Sequence, residues 1–341
     1  QEIKRIVDKN AEILAVVKAD AYGHGVMEVS KTLLENGVSR LAVSMLDEAI
    51  QLRKNGIEVP ILVLSYTDPG RAEEIIKNGI TQTVFSHDLA ESLSQAAQRL
   101  EKNVKIHIKI DTGMTRVGFM PGYSAVKNVI SISKLPRIII EGLYTHFASA
   151  DEKDKVYTNM QFERFTSIVN ELNRVGVYIP VKHVCNSAGI IEFPHMHFNM
   201  VRPGIALYGL YPSLDVNKEK IKLNPAMTLK ANIILVKDVE KETCISYGRI
   251  FKTKRDSRIA TIPIGYADGY TRLLTNKGEV LINGQRAPIV GKICMDQCMV
   301  DISNIKGDVN VGDEVVLFGQ QGEEEINVDE LAHSIGTISY E

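Results

Sequence analysis

Ile13-Leu14-Ala15-Val16-Val17-Lys18-Ala19-Asp20-Ala21-Tyr22-Gly23-His24-Gly25 is the stretch on which the reading of this chain turns. An apolar, β-branched run reads as a buried strand, and it delivers one lysine to its far end. A polar, glycine-rich turn follows at once. In an open doubly wound sheet the turn after the first strand usually carries a phosphate fingerprint, and Gly23-His24-Gly25 does not supply GxGxxG. A lysine held by a rigid strand, beside backbone that a ligand can approach closely, suits Schiff-base chemistry. A solvated lysine at a strand end looks the same, so the stretch alone leaves both readings open.

Working outward, the strand pattern recurs. Apolar runs at Ile13–Val17, Leu41–Val43, Ile61–Leu64, Gln82–Phe85, Val104–Ile110, Ile138–Tyr144, Val181–Cys185 and Ile205–Tyr208 read as strands. Helical periodicity lies between most of them. Leu89, Leu93, Ala96 and Leu100 share one face, as do Phe162, Phe165, Val169 and Leu172. Asp88 followed by Glu91 reads as an N-terminal cap. Asn36-Gly37, Asn55-Gly56, Asn78-Gly79 and Val175-Gly176 read as helix exits, because glycine suits the left-handed position that ends a helix. Strands alternating with helices over this length predict an α/β fold, a parallel TIM-like (β/α)8 barrel.

After about residue 223 the pattern changes. Thr228–Val236, Arg258–Ile264, Glu279–Ile282, Cys298–Ile302 and Asp313–Phe318 read as strands with little helix between them. Asn283-Gly284 signals a hairpin, and Val328–Ile335 reads as one helix. Residues 1–223 are therefore expected to form the barrel and 224–341 a mostly β C-terminal domain, with Asn224-Pro225 at the boundary.

The 341 residues suffice for a barrel plus an appendage, and 44% hydrophobic with 24% charged residues is ordinary for a globular chain. A net charge of -2 gives no electrostatic footprint for nucleic acid or an acidic membrane. No apolar run is long enough to span a bilayer. The four scattered cysteines, Cys185, Cys244, Cys294 and Cys298, do not form a disulfide framework, so a reducing, cytoplasmic setting is expected. Neither Cys294 with Cys298 nor His195 with His197 has the further ligands a metal site needs, and no metal is expected. The chain opens with Gln1 and no secretory pattern, which reads as a trimmed or processed start.

A (β/α)8 barrel builds its active site at the C-terminal ends of the strands. Lys18 and Tyr22 follow the first; Lys109, Asp111 and Arg116 the fifth; His146 the sixth; Asn186 and Ser187 the seventh. Arg202, Gly204 and Ile205 lie at the eighth. Each alone could be structural, but so many reactive types are expected to converge on one mouth.

Val17-Lys18-Ala19-Asp20-Ala21-Tyr22-Gly23-His24-Gly25 resembles the cofactor-lysine motif of bacterial alanine racemases, pyridoxal-phosphate enzymes with a barrel and a β domain. The resemblance runs on through Lys109–Gly118, Gly142-Leu-Tyr-Thr-His146, Asn186-Ser187-Ala188, Val201-Arg202-Pro-Gly204-Ile205 and Ser246-Tyr247-Gly248. It continues in Ile264–Gly269, Cys294-Met295-Asp296-Gln297 and Thr337–Glu341. It implies interconversion of L- and D-alanine, supplying D-alanine for peptidoglycan. Lys18 would hold pyridoxal 5'-phosphate and serve as one base, and Tyr247 would be the second, on the other face of the substrate carbon. A phenol near pKa 10 is a poor base at neutral pH, and the resemblance supplies His146 beside it. Arg202 would face the pyridine nitrogen and keep it unprotonated, limiting side reactions.

By the same resemblance Tyr22, Ser187, Tyr340 and the amides of Gly204 and Ile205 would bind the phosphate, with Asn186 beside them. Arg116, Met295 and Asp296 would contact or enclose the substrate. Lys109, next to Arg116, would carry a carbamate (N6-carboxylysine) that turns a repelling charge into an attracting one. Tyr247 and Met295 would come from the second subunit of a homodimer. Two features depart from the family pattern. The chain looks short at both ends. Thr115 stands where relatives often have glycine, a change that Gly113 and Gly118 are expected to make tolerable. The competing readings are a serine or broad-spectrum racemase, against which Tyr340 narrows the pocket, and a non-catalytic cofactor-binding barrel, which would lack the β domain. Related barrel decarboxylases would place glutamate where Arg202 stands.

Overall fold

The computed structural model describes residues 1–341 and divides them into two compact units, Gln1–Asn224 and Pro225–Glu341. In the first, eight parallel strands run in the order β7-β6-β5-β4-β3-β2-β1-β8. They are β1 (Glu12–Val16), β2 (Arg40–Val43), β3 (Ile61–Val63), β4 (Thr81–Val84), β5 (Val104–Lys109), β6 (Ile138–Tyr144), β7 (Val181–His183) and β8 (Met200–Val201). No ladder joins β7 to β8. The gap is spanned instead by Arg202 N–H to Cys185 O (2.9 Å) and by Asn199, whose Oδ1 accepts from Lys182 N–H (2.8 Å) and whose Nδ2 donates to Pro180 O (2.7 Å). The barrel is thus nearly closed, with helices around it.

The eighth strand differs from expectation. Ile205–Tyr208 is a short 3-10 turn, and β8 is the two residues Met200–Val201. A four-residue apolar run fits a strand or a buried helical turn equally, and Pro203 ahead of it removes a ladder donor. The helix His87–Arg99 starts one residue before Asp88, and its cap is Ser86, whose Oγ accepts from Leu89 N–H. The four asparagine- or valine-glycine exits behave as read: Gly37, Gly56, Gly79 and Gly176 all take left-handed φ.

The second unit is mostly β. Leu235–Val239, Ser257–Ile262 and Cys298–Asp301 form one antiparallel sheet, and a second is built on Glu279–Ile282, Gln285–Pro288 and Glu314–Gln321. The expected strand Thr228–Val236 is broken in two, Leu229–Asn232 and Leu235–Val239, which serve different sheets. Asn283 and Gly284, both at positive φ, close the hairpin, and Val328–Ile335 is a helix. No helix of the chain is long and apolar enough to cross a membrane.

Candidate active site

The turn after β1 is the most unusual backbone in the barrel. Ala19 (φ 52°), Asp20 (52°), Ala21 (55°) and Tyr22 (56°) form one left-handed helical turn, and Gly23 follows at 80°. Left-handed backbone costs about 1–2 kcal/mol per non-glycine residue, so side chains must hold it. Glu48 Oε1 accepts from Ala19 N–H (2.6 Å), and Asp20 Oδ1 accepts from Val26 N–H (2.7 Å). The turn brings Tyr22 back against the cluster that contains Leu14 and Val16 of β1. Burial and the charge of Arg116 lower the Lys18 ammonium below its usual range, with Glu48 opposing. That favours the neutral amine, which is the nucleophile. Glu48 was not singled out in the sequence; a carboxylate in the first turn of a barrel helix reads as an ordinary helix acid.

Arg202 is buried and held on all sides. Its Nη1 donates to His183 Nδ1 (2.7 Å), and the two hydrogens of its Nη2 are shared among Thr145 O (2.8 Å), Val184 O (3.1 Å) and His146 Nδ1 (3.2 Å). Its Nε takes part in none of these. Burial lowers it to about 10, so it stays a cation at neutral pH. Because arginine only donates, His146 Nδ1 is an acceptor and its single proton sits on Nε2. Burial and the charges of Arg202, Lys109, Arg116 and Lys18 hold His146 well below the usual histidine range.

Lys109 ends β5, buried, with Nζ donating to Ile110 O (3.1 Å) and lying 5.3 Å from the Tyr144 ring centre. Burial pushes it down to about 7, with Arg202 and Arg116 reinforcing and Asp111 opposing. Arg116 is presented on a loop that Asp111 organises by accepting from Gly113 and Thr115 N–H (3.0 and 2.9 Å). Gly118 is indispensable to that loop: a Cβ there would lie 2.6 Å from Asp111 N. Thr115 sits at φ 55°, a conformation that glycine adopts without cost.

Ser187 Oγ accepts from Gly204 N–H (2.9 Å) and Ala206 N–H (3.3 Å), and Ile205 N–H lies between them, drawn into neither bond. A Cβ on Gly204 would meet Tyr22 Oη at 2.6 Å, so the glycine makes room for the phenol. Burial raises Tyr22 to about 12, which keeps it a protonated donor. Two hydroxyls and an amide, all donors, suit a phosphate. Beside them, Asn186 Oδ1 caps the helix Ser187–Glu192 by accepting from Gly189 N–H (2.9 Å).

Within the second unit, Tyr247, Met295 and Asp296 are carried by turns tied to one another. Ser246 Oγ donates to Lys292 O (2.6 Å), and Tyr266 and Ala267 N–H donate to Cys294 O (3.1 Å) and Met295 O (2.8 Å). Gly265 permits this, since a Cβ there would lie 2.4 Å from both carbonyl oxygens. Tyr247 is 68% exposed, Met295 61% and Tyr340, beyond the last helix, 42%. No three His, Cys, Asp or Glu side chains are grouped to hold a metal.

Comparison with known proteins gives a consistent result. The family model "Alanine racemase, N-terminal domain" matches residues 1–212, and "Alanine racemase, C-terminal domain" matches 226–341. The alanine racemase of Methanococcus maripaludis is 54% identical over 341 residues, 100% of this chain and 91% of its own. That of Clostridium novyi is 51% identical over 330 residues, 97% and 85% of the two chains. The solved alanine racemase of Clostridium difficile 630 matches with a TM-score of 0.95 at 47% identity, covering 99% of this chain and 87% of that one. The Bacillus anthracis structure with bound L-Ala-P matches at 0.93 and 40% identity, covering 99% and 86%.

Proposed function

Because the chain belongs to the alanine racemase family, we propose that it interconverts L- and D-alanine by a two-base mechanism on pyridoxal 5'-phosphate. When bound, that group supplies an aldehyde that links to an amine and a ring that takes up the electron pair left on the α-carbon. Tyr22, Ser187, Ile205, Gly204 and Tyr340 would hold its phosphate, and Arg202 its ring nitrogen. The observation that carries the reading is the mouth of the barrel. A lysine biased toward its neutral amine, a buried arginine anchored through both terminal nitrogens with its Nε left over, and a set of phosphate donors all lie at strand ends.

Lys18 Nζ takes or returns the α-proton on one face. Tyr247 Oη, from a second copy of the chain, does so on the other. The Nε2–H of His146 would donate to that oxygen and stabilise its deprotonated form. Arg116 binds the substrate carboxylate, and Met295 and Asp296 enclose it. Lys109 reacts as a neutral amine with carbon dioxide, forming an N–C bond and releasing one proton. The resulting carbamate gives Arg116 an anionic partner. The product would supply D-alanine for peptidoglycan in the cytoplasm.

Borohydride reduction of the holoenzyme is expected to fix the cofactor to the peptide containing Lys18. In Tyr247→Phe, exchange of the α-hydrogen with deuterated solvent is expected to persist for one enantiomer and vanish for the other, with cofactor absorbance intact. Unchanged racemisation overturns the two-base assignment. Serine turned over faster than alanine overturns the substrate assignment.

A further inference from the structure

Behind Arg202 a line of polar side chains runs through the inside of the barrel, where an α/β barrel ordinarily packs branched aliphatics. Arg202 donates to His183 Nδ1 (2.7 Å), His183 Nε2 meets His107 Nδ1 (2.8 Å), and His107 Nε2 meets Glu141 Oε2 (3.2 Å). All four residues are buried. The line ends at the base of the barrel, where Glu141 also accepts from Arg40 (2.8 Å) and from the half-exposed Lys105 (2.8 Å).

The direction of every bond follows from Arg202. Arginine can only donate, so His183 Nδ1 must accept, and its proton is on Nε2. That proton points at His107 Nδ1, which must therefore accept. The His107 proton is then on Nε2 and points at a carboxylate, which can only accept. One cation at one end and one carboxylate at the other leave a single consistent arrangement.

The strands are shaped around this line. β5 and β6 pair Ile106 with Ile140 but His107 with Gly142, so Glu141 is an extra residue in a bulge. Bulges of this kind re-aim a side chain. Gly142 is the other concession: a Cβ there would fall 2.4 Å from His107 Nδ1. Tyr144 then covers the line, stacked on His183 at 4.5 Å and 5°.

We propose that Glu141, His107 and His183 form a one-way hydrogen-bond relay, each imidazole carrying its single proton on Nε2, that positions the Arg202 guanidinium for the reaction at the barrel mouth. None of the three is a catalytic residue; they act through Arg202. Burial lowers His107 and holds His183 well below the usual range, in keeping with neutral rings. The proton arrangement depends only on the contacts above. Its effect on turnover rests on the assignment of Arg202 to the cofactor ring.

Nitrogen-15 NMR of histidine-labelled holoenzyme at neutral pH tests the relay directly. The expected result is a protonated Nε2 and bare Nδ1 at both His107 and His183. A doubly protonated ring, or a proton on Nδ1 of either, overturns it. The consequence is tested with His107→Leu, which removes the acceptor for His183, and His107→Gln, whose amide can both accept and donate. His107→Leu is expected to lower kcat about 10- to 100-fold with little change in KM and to shift the visible band of the bound cofactor. His107→Gln is expected to recover most of the loss. Equal losses in the two variants, or an unmoved band in His107→Leu, overturn positioning through Arg202. The tautomers in the wild-type protein would still report separately on the relay.

Discussion

The two units carry their candidate groups in opposite ways. In the barrel, Arg202 reaches four acceptors and Lys109 is almost wholly covered. In the β-rich unit Tyr247 and Met295 stand out in solvent on turns. One half of the candidate site is fixed by the chain's own interior. The other half is held rigid from beneath, by bonds such as Ser246 to Lys292 and Ala267 to Met295, while its working side chains are offered outward. Large exposed side chains on a braced platform are what an interface requires. This supports the proposed homodimer, in which the offered half would complete a partner's barrel.

The largest effect should come from separating the halves. Lys18→Ala and Tyr247→Phe should each be inactive when pure. If the halves come from different subunits, unfolding and refolding the two together at equal amounts should restore about a quarter of wild-type activity. Half of the dimers would then be mixed, with one intact site of two. No recovery, with mixed dimers demonstrated by mass, breaks the comparison at its centre.

The next test sets stability against exposure. Arg202→Lys cannot satisfy the acceptors that Arg202 reaches from Thr145, Val184, His183 and His146. The apo barrel is expected to lose roughly 2–4 kcal/mol. Tyr247→Phe, at an exposed ring, should stay within about 0.5 kcal/mol. Denaturant unfolding of the two variants checks this. Similar losses in both would mean that the units do not differ as described.

How much of this was legible in the sequence follows the same division. Seven barrel strands could be read because each is an apolar run bounded by turn residues. β8 could not, since two residues carry no period. The strand-end groups, Lys18 through Arg202, were found because a barrel concentrates chemistry there. The relay was missed because Glu141 lies inside an apolar run and reads as an interruption. One signal was available. Lys105-Ile-His107-Ile-Lys109 alternates strictly, in a strand whose two faces should both be apolar if it were simply buried between helices and a packed interior. Polar alternation in such a strand points to a polar interior. The left-handed turn at 19–22 had no signal, because alanine and tyrosine have no preference for that backbone.

Lys109 shows what burial costs the barrel half. Its folded pKa of about 7 lies below the ~10.4 of an unfolded lysine. Between those values the unfolded chain binds the additional proton, so stability rises with pH across that window and is lowest below it. Lys109→Met removes this dependence. In buffer freed of carbon dioxide the variant should melt higher than wild type near neutral pH, and the gap should close as pH approaches ~10. Added bicarbonate should narrow the gap at neutral pH if the carbamate forms. A gap that is constant with pH and indifferent to bicarbonate would place Lys109 outside this linkage.

The smallest effect concerns a strained residue in a loop of the barrel half. Thr115 holds φ 55°, where a β-branched side chain crowds its own carbonyl. The strain is retained because Thr115 N–H donates to Asp111 Oδ1, the same oxygen that receives Gly113 N–H and shapes the approach to Arg116. Thr115→Gly relieves the crowding but leaves the unfolded chain freer, so the net gain should be only about 0.5–1 kcal/mol. Both backbone bonds to Asp111 survive the change, so KM for alanine should hold within about twofold while the melting temperature rises by roughly 1–2 °C. If instead the variant is more stable but binds alanine several-fold more weakly, the strain is itself what aims Arg116. The barrel half would then owe part of its order to backbone strain, which no hydrogen-bond count registers.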